Sequence, residues 1–334
     1  MQTPKLFTLL PKEYVATPDG MAINKDGDLI LACPNFADLS YPGCLVKIDK
    51  NKSISKWLDV PVEEESGSSR PMGIEFGPDG DVYVCDNVSW TDKPELQFKG
   101  RMLRIRMVND KLVKFTVVAR GMEHPNGVRI KGDYMYVTNS LMTKVKHESG
   151  LMVSAVYRFR LDDENVVVNN TLDDENLITT FVTRNPICQY GADGIEFDND
   201  GNLYVGNFGD GEINKITFDS EGNVYSNVVW AKDENNLKTT DGMISDKKGA
   251  FYMADFGANA IVKIDWADAK ATRIAQSPDC DGFDGRLDQP GEPIIWQGKI
   301  VVSCFDTVID HPYFNNSARE IPCTMSELTL DKCQ

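Results

Sequence analysis

The stretch Gly191–Gly209, GADGIEFDNDGNLYVGNFG, carries two Asp-Gly pairs, Asp193-Gly194 and Asp200-Gly201, on either side of one short apolar segment. Ile195-Glu196-Phe197-Asp198 alternates apolar and polar. Leu203-Tyr204-Val205 resumes β-branched and aromatic character, which predicts two strands joined across Asn199–Asn202. Asp200-Gly201 lies in the middle and signals a tight hairpin, because both residues tolerate the positive φ that such a turn needs. Asp193-Gly194 lies at the other end of the first strand, beside the point where the second strand returns at Asn207, and the hairpin does not require it.

The same module recurs along the chain. PDGMAINKDGDLILA begins at Pro18, RPMGIEFGPDGDVYVCDN at Arg70, HPNGVRIKGDYMYVTNS at His124, TTDGMISDKKGAFYMADFG at Thr239 and GEPIIWQGKIVVSCFD at Gly291. With the residue before the first Gly as marker (before Pro in the last copy), the six markers are Asp19, Met72, Asn126, Asp193, Asp241 and Glu292. They are 48 to 67 residues apart, and the wrap from the last copy back to the first, 61 residues, falls inside that range. A repeat of this length, read as strand, turn, strand without helical patterning, predicts an all-β, six-bladed β-propeller of four-stranded blades, one domain over residues 1–334. The last blade is one strand short at the C-terminal end. Lys5–Leu10 (KLFTLL) can supply it, pairing the two chain ends and removing an open sheet edge. The longest interval holds LDDENVVVNNTLDDEN, expected as a solvated hairpin or loop on the outside.

Composition bounds the function. The 334 residues are 41% hydrophobic and 26% charged, the profile of a folded chain with ample core. A formal charge of −16 makes nucleic acid and anionic membrane poor partners and cations natural ones. No apolar run is long enough to span a bilayer, and the N-terminus lacks the pattern of a leader. A cytoplasmic protein is therefore expected, with secretion after leader removal as the alternative, and as a monomer or weak homo-oligomer. Eight cysteines include no Cys-x-x-Cys pair, which argues against structural zinc; Cys33 with Cys44, or Cys323 with Cys333, could pair in an oxidising compartment. Asn51, Asn87, Asn169 and Asn315 each open a glycosylation sequon, a pattern common by chance.

In a propeller the first strand of each blade lines the central channel, so equivalent markers form a ring. Four carboxylates and one carboxamide are expected to converge there, repelling one another unless a cation compensates. Oxygen donors without a matching set of His or Cys suit a hard ion, Ca²⁺ first, with Mg²⁺, Mn²⁺ and Zn²⁺ as alternatives. A single Asp-Gly is more often a turn than a ligand, and turn chemistry accounts for each Gly. It does not account for an oxygen donor at five of six ring positions. The second ring expected at the returning strand ends, Asn35, Asp86-Asn87, Asn139-Ser140, Asn207, Asp255 and Asp306, suits supporting hydrogen bonds. Phe36, Trp90, Phe208, Phe256 and Phe305 follow those strands and could wall an apolar pocket. The segment around His311 could form a loop over its mouth.

HPNG at His124–Gly127, the Gly191 stretch and GEPIIW at Gly291 resemble the metal-binding signatures of the senescence marker protein/gluconolactonase/luciferin-regenerating family. Diisopropyl-fluorophosphatase and paraoxonase-type propellers share that architecture. The resemblance covers essentially the whole chain through its repeat. It implies a small-molecule lactone, ester or phosphotriester substrate, and Ca²⁺ held by a Glu, an Asn from Pro-Asn-Gly and an Asp from the blade that follows. Matched to this chain, those are Glu292, Asn126 and Asp193, which reads as a circular shift by one blade. A second Asn ligand of some members falls on Met72, a poor ligand for a hard cation. The resulting expectation makes Glu292, Asn126, Asp193 and Asp241 metal ligands, Asp193 and Asp241 the catalytic carboxylates, and Asp19, Met72, His124, Asn207, Phe208 and Trp90 substrate contacts. Two other functions remain open: non-hydrolytic pocket chemistry of the strictosidine synthase-like kind, and a binding scaffold with a structural metal.

Overall fold

Six antiparallel sheets stand around one axis in the computed structural model, which describes residues 1–309, 311–314 and 316–330. Blade 1 is Met21–Ile23, Leu29–Cys33, Cys44–Ile48 and Ile54–Asp59, from the axis outward; blade 2 is Pro71–Phe76, Val82–Asp86, Gly100–Val108 and Lys111–Met122. Blade 3 is Pro125–Lys131, Tyr134–Asn139, Val153–Arg160 and Leu177–Val182; blade 4 is Ala192–Phe197, Leu203–Asn207, Glu212–Phe218 and Val224–Lys232. Blade 5 is Met243–Ser245, Ala250–Asp255, Ala260–Asp265 and Ala271–Gln276. Blade 6 is Pro290–Trp296, Lys299–Cys304 and Thr324–Thr329, completed by Lys5–Leu9. That last strand pairs Lys5 with Glu327 and Leu9 with Thr324, so the chain ends close the ring.

The second strand of a blade is covered on both faces by its neighbours, which explains runs such as LILAC at Leu29–Cys33 and AFYMAD at Ala250–Asp255, buried at every residue. Outermost strands such as Ile54–Asp59 mix apolar with polar residues and bury none of them fully, because one face meets water. Six apolar clusters result, one in each seam between adjacent blades. Ile30 and Ala32 meet Val82 and Val84 between blades 1 and 2, for example, and Phe7 and Trp296 meet Leu29 and Leu31 between blades 6 and 1. No helix among the described residues is long and apolar enough to cross a membrane.

Four sequence expectations change. The acidic insertion is not a free loop: Val166–Val167 adds a fifth, parallel strand to the outer edge of blade 2, and the buried Asn170 donates to Gly121 O at 2.6 Å. Buried Val168 in VVVNN supplies the apolar anchor for this stitch. Cys33 and Cys44 do stand opposite one another on paired strands, and both are reduced; Cys333 lies outside the described residues, as does Asn315. Asn87 is fully buried, which removes it as a glycan acceptor in the folded chain.

The fourth change concerns the marker glycines. Gly201 has φ of 84° and sits in the hairpin turn as expected. The glycines after the markers have no such angle and answer to a different constraint. A Cβ on Gly194 would lie 2.0 Å from Asp241 O, on Gly127 2.8 Å from Asp193 O, and on Gly73 2.4 Å from Asn126 O. They are glycines because neighbouring inner strands meet there, with the backbone of one against the next marker's carbonyl.

Candidate active site

Every inner strand except those of blades 1 and 5 has a register shift just after its first residues, as between Pro125 and Val128 or Ala192 and Ile195. Such a bulge breaks the period of two, which lets a marker and the residue three places on both face the axis. The upper layer carries Asp19, Met72, Asn126, Asp193 and Asp241, as the repeat predicted.

The sixth position is different. Pro290 pairs with Cys304 and Pro293 with Val302, matching Pro125 with Asn139 and Val128 with Val137. Gly291 therefore occupies the ring position, and Glu292 stands where the other blades have glycine. Its backbone N–H donates to Ser303 Oγ at 3.1 Å, as Gly127 N–H does to Thr138 Oγ1 at 2.7 Å. Counting from Pro293 had placed Glu292 one residue early. The side chain this puts on the axis leans over Gly242, where an added Cβ would lie 1.8 Å from Glu292 Oε2.

Glu292 consequently joins a deeper layer that sequence reading missed. Arg129 Nη2 lies 3.1 Å from Glu292 Oε1, and its Nε lies 3.3 Å from Glu196 Oε2 and 3.8 Å from Glu75 Oε2. Lys247 adds a second cation at 3.2 Å from Glu196 Oε1. Glu75, Arg129 and Glu196 share one offset in MGIE, NGVR and DGIE, a charge at the same place in three consecutive copies, and that was the available signal. The carboxylate partners hold the Arg129 guanidinium above its ordinary pKa, while burial pushes Glu292 up to about 7 against the pull of Arg129.

The upper layer has no such compensation. Among the described residues, none of Asp19, Asp193 and Asp241 pairs with a Lys or Arg. Burial, then the charge of Glu292, raises Asp19 to about 7. Burial and mutual repulsion raise Asp193 and Asp241 well above the ordinary carboxylate range. Asp241 Oδ1 accepts the Gly242 N–H at 2.9 Å, and Asn126 hydrogen-bonds the Asp193 carboxylate. Three uncompensated carboxylates with one carboxamide fit a hard cation in donor chemistry. They are not drawn into a tight cluster: among the described residues, the three carboxylates with oxygens within 4.8 Å of one another are Asp288, Asp306 and Glu320, elsewhere.

Above this acidic floor opens a cavity of about 230 Å³. A closed aromatic collar walls it. Trp90 meets Tyr190 at 6.4 Å between ring centres, Tyr190 meets Phe208 at 5.3 Å, Phe208 meets Phe256 at 5.9 Å, Phe256 meets Phe305 at 5.8 Å, and Phe305 returns to Trp90 at 6.1 Å. Phe36 packs behind Trp90, and Ile309, His311 and Phe314 complete the mouth, as the position of that segment suggested.

Two expected substrate contacts stand off the cavity. His124 is 1% exposed, with Asn87 Nδ2 2.9 Å from Nδ1 and the Tyr190 hydroxyl 2.8 Å from Nε2; burial lowers it to about 3, so the ring is neutral and braces the collar from behind. Asn207 accepts from Thr183 Oγ1 at 2.8 Å and donates to Val182 O and Asp210, which ties blade 4 to the end of the outer strand of blade 3. Other strand-end residues do similar work. Asp86 accepts the Arg70 N–H, Asn139 that of His124, and Asp255 those of Lys238 and Thr239.

No family model and no curated protein matches this sequence. Solved structures do match its fold. A gluconolactonase from Xanthomonas campestris is 13% identical with a TM-score of 0.59, covering 98% of this chain and 94% of its own. Regucalcin from Agrobacterium tumefaciens, a calcium-binding protein, is 12% identical at 0.59, covering 98% and 93%. The PQQ-bound aldose sugar dehydrogenase from Streptomyces coelicolor is 15% identical at 0.61, covering 97% of each. At these identities the likeness is one of fold, shared by the gluconolactonase and regucalcin propellers and by a dehydrogenase alike, so the chemistry has to be argued from the site.

Proposed function

We propose that this chain is a hydrolase of a small lactone, ester or phosphotriester, acting on the acidic floor of the aromatic cavity. The observation that carries the reading is the convergence of Asp19, Asp193 and Asp241 with Asn126, without a basic side chain among them, beneath an apolar wall. Asp193, Asp241 and Asn126 would hold a hard divalent cation, Ca²⁺ first, with Glu292 approaching from one layer deeper and oxygens of water or substrate completing the set. When bound, such an ion supplies polarisation of a carbonyl or phosphoryl oxygen. Asp241, with one oxygen engaged by Gly242 N–H, offers the other to take a proton from the attacking water. Asn126 orients Asp193, the second catalytic carboxylate. Trp90, Phe208 and Met72 pack against the apolar part of the substrate and exclude water, and Asp19 binds its polar side. The likeness to a gluconolactonase supports the same class, and the likeness to regucalcin supports the ion.

Metal analysis of the purified protein, with hydrolysis of lactones and aryl esters with and without chelator, tests this. Asp193→Ala is expected to lose about 10²–10⁴-fold in ion-dependent turnover with an unchanged circular dichroism spectrum. Unchanged turnover would remove Asp193 from the mechanism, and activity in metal-free protein would remove the ion.

A further inference from the structure

The loops at the mouth of blade 6 bring together Asp288, Asp306 and Glu320, one carboxylate oxygen of each within 4.8 Å of the others. Asp288 precedes the strand Pro290–Trp296, Asp306 follows Lys299–Cys304, and Glu320 precedes Thr324–Thr329. Asp288 and Asp306 are each 1% exposed. Asp306 has donors, the Glu320 N–H at 2.9 Å and Asn316 Nδ2 at 3.3 Å. Asp288 has none: both of its oxygens are buried without a hydrogen-bond partner, as are Glu320 Oε2 and Asn316 Oδ1. An unpartnered buried carboxylate is among the costliest groups a fold can hold. Of the nearby bases, Arg286 pairs with Asp284, and Arg319 places Nη1 on Ala37 O at 3.0 Å while its buried Nε has no partner and its charge faces Asp306; Asp279 and Asp281 add negative charge.

Comparison between blades shows that these acids are not strand-end caps. Asp86, Asn139 and Asp255 accept backbone N–H groups of their own blade, whereas blade 6 has Cys304 at that place. The Gln289 N–H goes to Asn259 Oδ1 at 3.0 Å instead. Asp288 and Asp306 are thus free of the task their counterparts perform.

We propose that Asp288, Asp306 and Glu320, with the Asn316 carboxamide oxygen, form a second hard-cation site separate from the channel. An all-oxygen set carried on loops, without His or Cys, suits Ca²⁺ better than Zn²⁺ or the more rigid demands of Mg²⁺. A bound ion would tie the segment before blade 6 to the loop that presents Ile309, His311 and Phe314 to the cavity. Occupancy would therefore hold one wall of the active site in place.

Calorimetric titration of chelator-stripped full-length protein with CaCl₂ tests this, on the wild type, Asp288→Asn, Glu320→Gln and the channel variant Asp193→Asn. Asp288→Asn and Glu320→Gln are expected to lose one equivalent of Ca²⁺, or to bind it at least about tenfold more weakly, while Asp193→Asn keeps it. Wild-type stoichiometry and affinity in both blade-6 variants would overturn the proposal and leave the group sharing protons instead, as would a wild type that binds no Ca²⁺. If the wild type binds a single ion, its loss in Asp288→Asn and retention in Asp193→Asn supports this site and refutes the channel ion; the reverse overturns this site alone. Glu320 is only partly buried, so Glu320→Gln decides the matter if Asp288→Asn fails to fold.

Discussion

Replacing Arg129 by Met should destabilise this propeller at its axis, and the size of the effect should depend on pH. Arg129 is 8% exposed and is the shared partner of Glu292, Glu196 and Glu75 at 3.1, 3.3 and 3.8 Å. Methionine fills similar volume, so the packing loss is small and the loss of charge dominates. Removing one member of a buried ionic cluster costs about 3–5 kcal/mol, because the others stay buried without compensation. With an unfolding entropy of about 2.1 cal/mol/K per residue, a two-state chain of this size loses about 6 °C in Tm for about 4 kcal/mol. The sign with pH follows from the carboxyls. Burial already raises Glu292 from 4.5 to about 7, and loss of Arg129 raises it further. Its protonated form is then the one the fold accepts, and the penalty relative to wild type grows as pH rises past about 7, the wild-type folded value, toward the higher value in the variant. Guanidinium unfolding of the wild type and Arg129→Met at pH 5 and pH 8 measures both. An equal loss at the two pH values would mean that Arg129 acts by packing alone, and a loss below about 1 kcal/mol at pH 8 would refute the charge argument.

Three further outcomes are expected. Metal-free protein should lose stability between about pH 4 and pH 7, since Asp19 is raised from 3.8 to about 7, worth about 4 kcal/mol at 1.36 kcal/mol per pH unit; thermal melts should show Ca²⁺ flattening that slope, and a flat metal-free profile would contradict the uncompensated floor. Gly194→Ala, whose Cβ would lie 2.0 Å from Asp241 O, should cost about 1–3 kcal/mol or more, whereas Gly201→Ala, with a strained φ but only the flexible Lys131 ammonium and its Cε nearby, should cost about 1–2; denaturant midpoints that rank them the other way would refute the account of the marker glycines. Deleting residues 1–10 should leave Thr324–Thr329 as an open edge and promote aggregation, read by light scattering, with partial rescue by a synthetic peptide of the missing strand.

The repeat of marker, Gly and hairpin was enough to derive six blades, closure by Lys5–Leu9 and an acidic ring, because each depends on local strand and turn chemistry that recurs at a near-constant interval. Asp19, Asn126, Asp193 and Asp241 came from that pattern, and Trp90, Phe208, Phe256 and Phe305 from their place after the returning strands. Matters of a single residue were not legible. Glu292 was read as a ring member because the sixth copy has Pro where the others have Gly, and strand pairing moved it one step deeper, onto Arg129. Arg129, Glu75 and Glu196 were visible as charges, but a bulge in each of their inner strands, which periodicity does not report, turned them to the axis. Tyr190 and the Asp288, Asp306 and Glu320 group lie in segments outside the repeat and meet through loops, where sequence distance says nothing about proximity. Local backbone preferences therefore determined the blades, and the close contact of neighbouring blades around the axis decided which side chains face one another there.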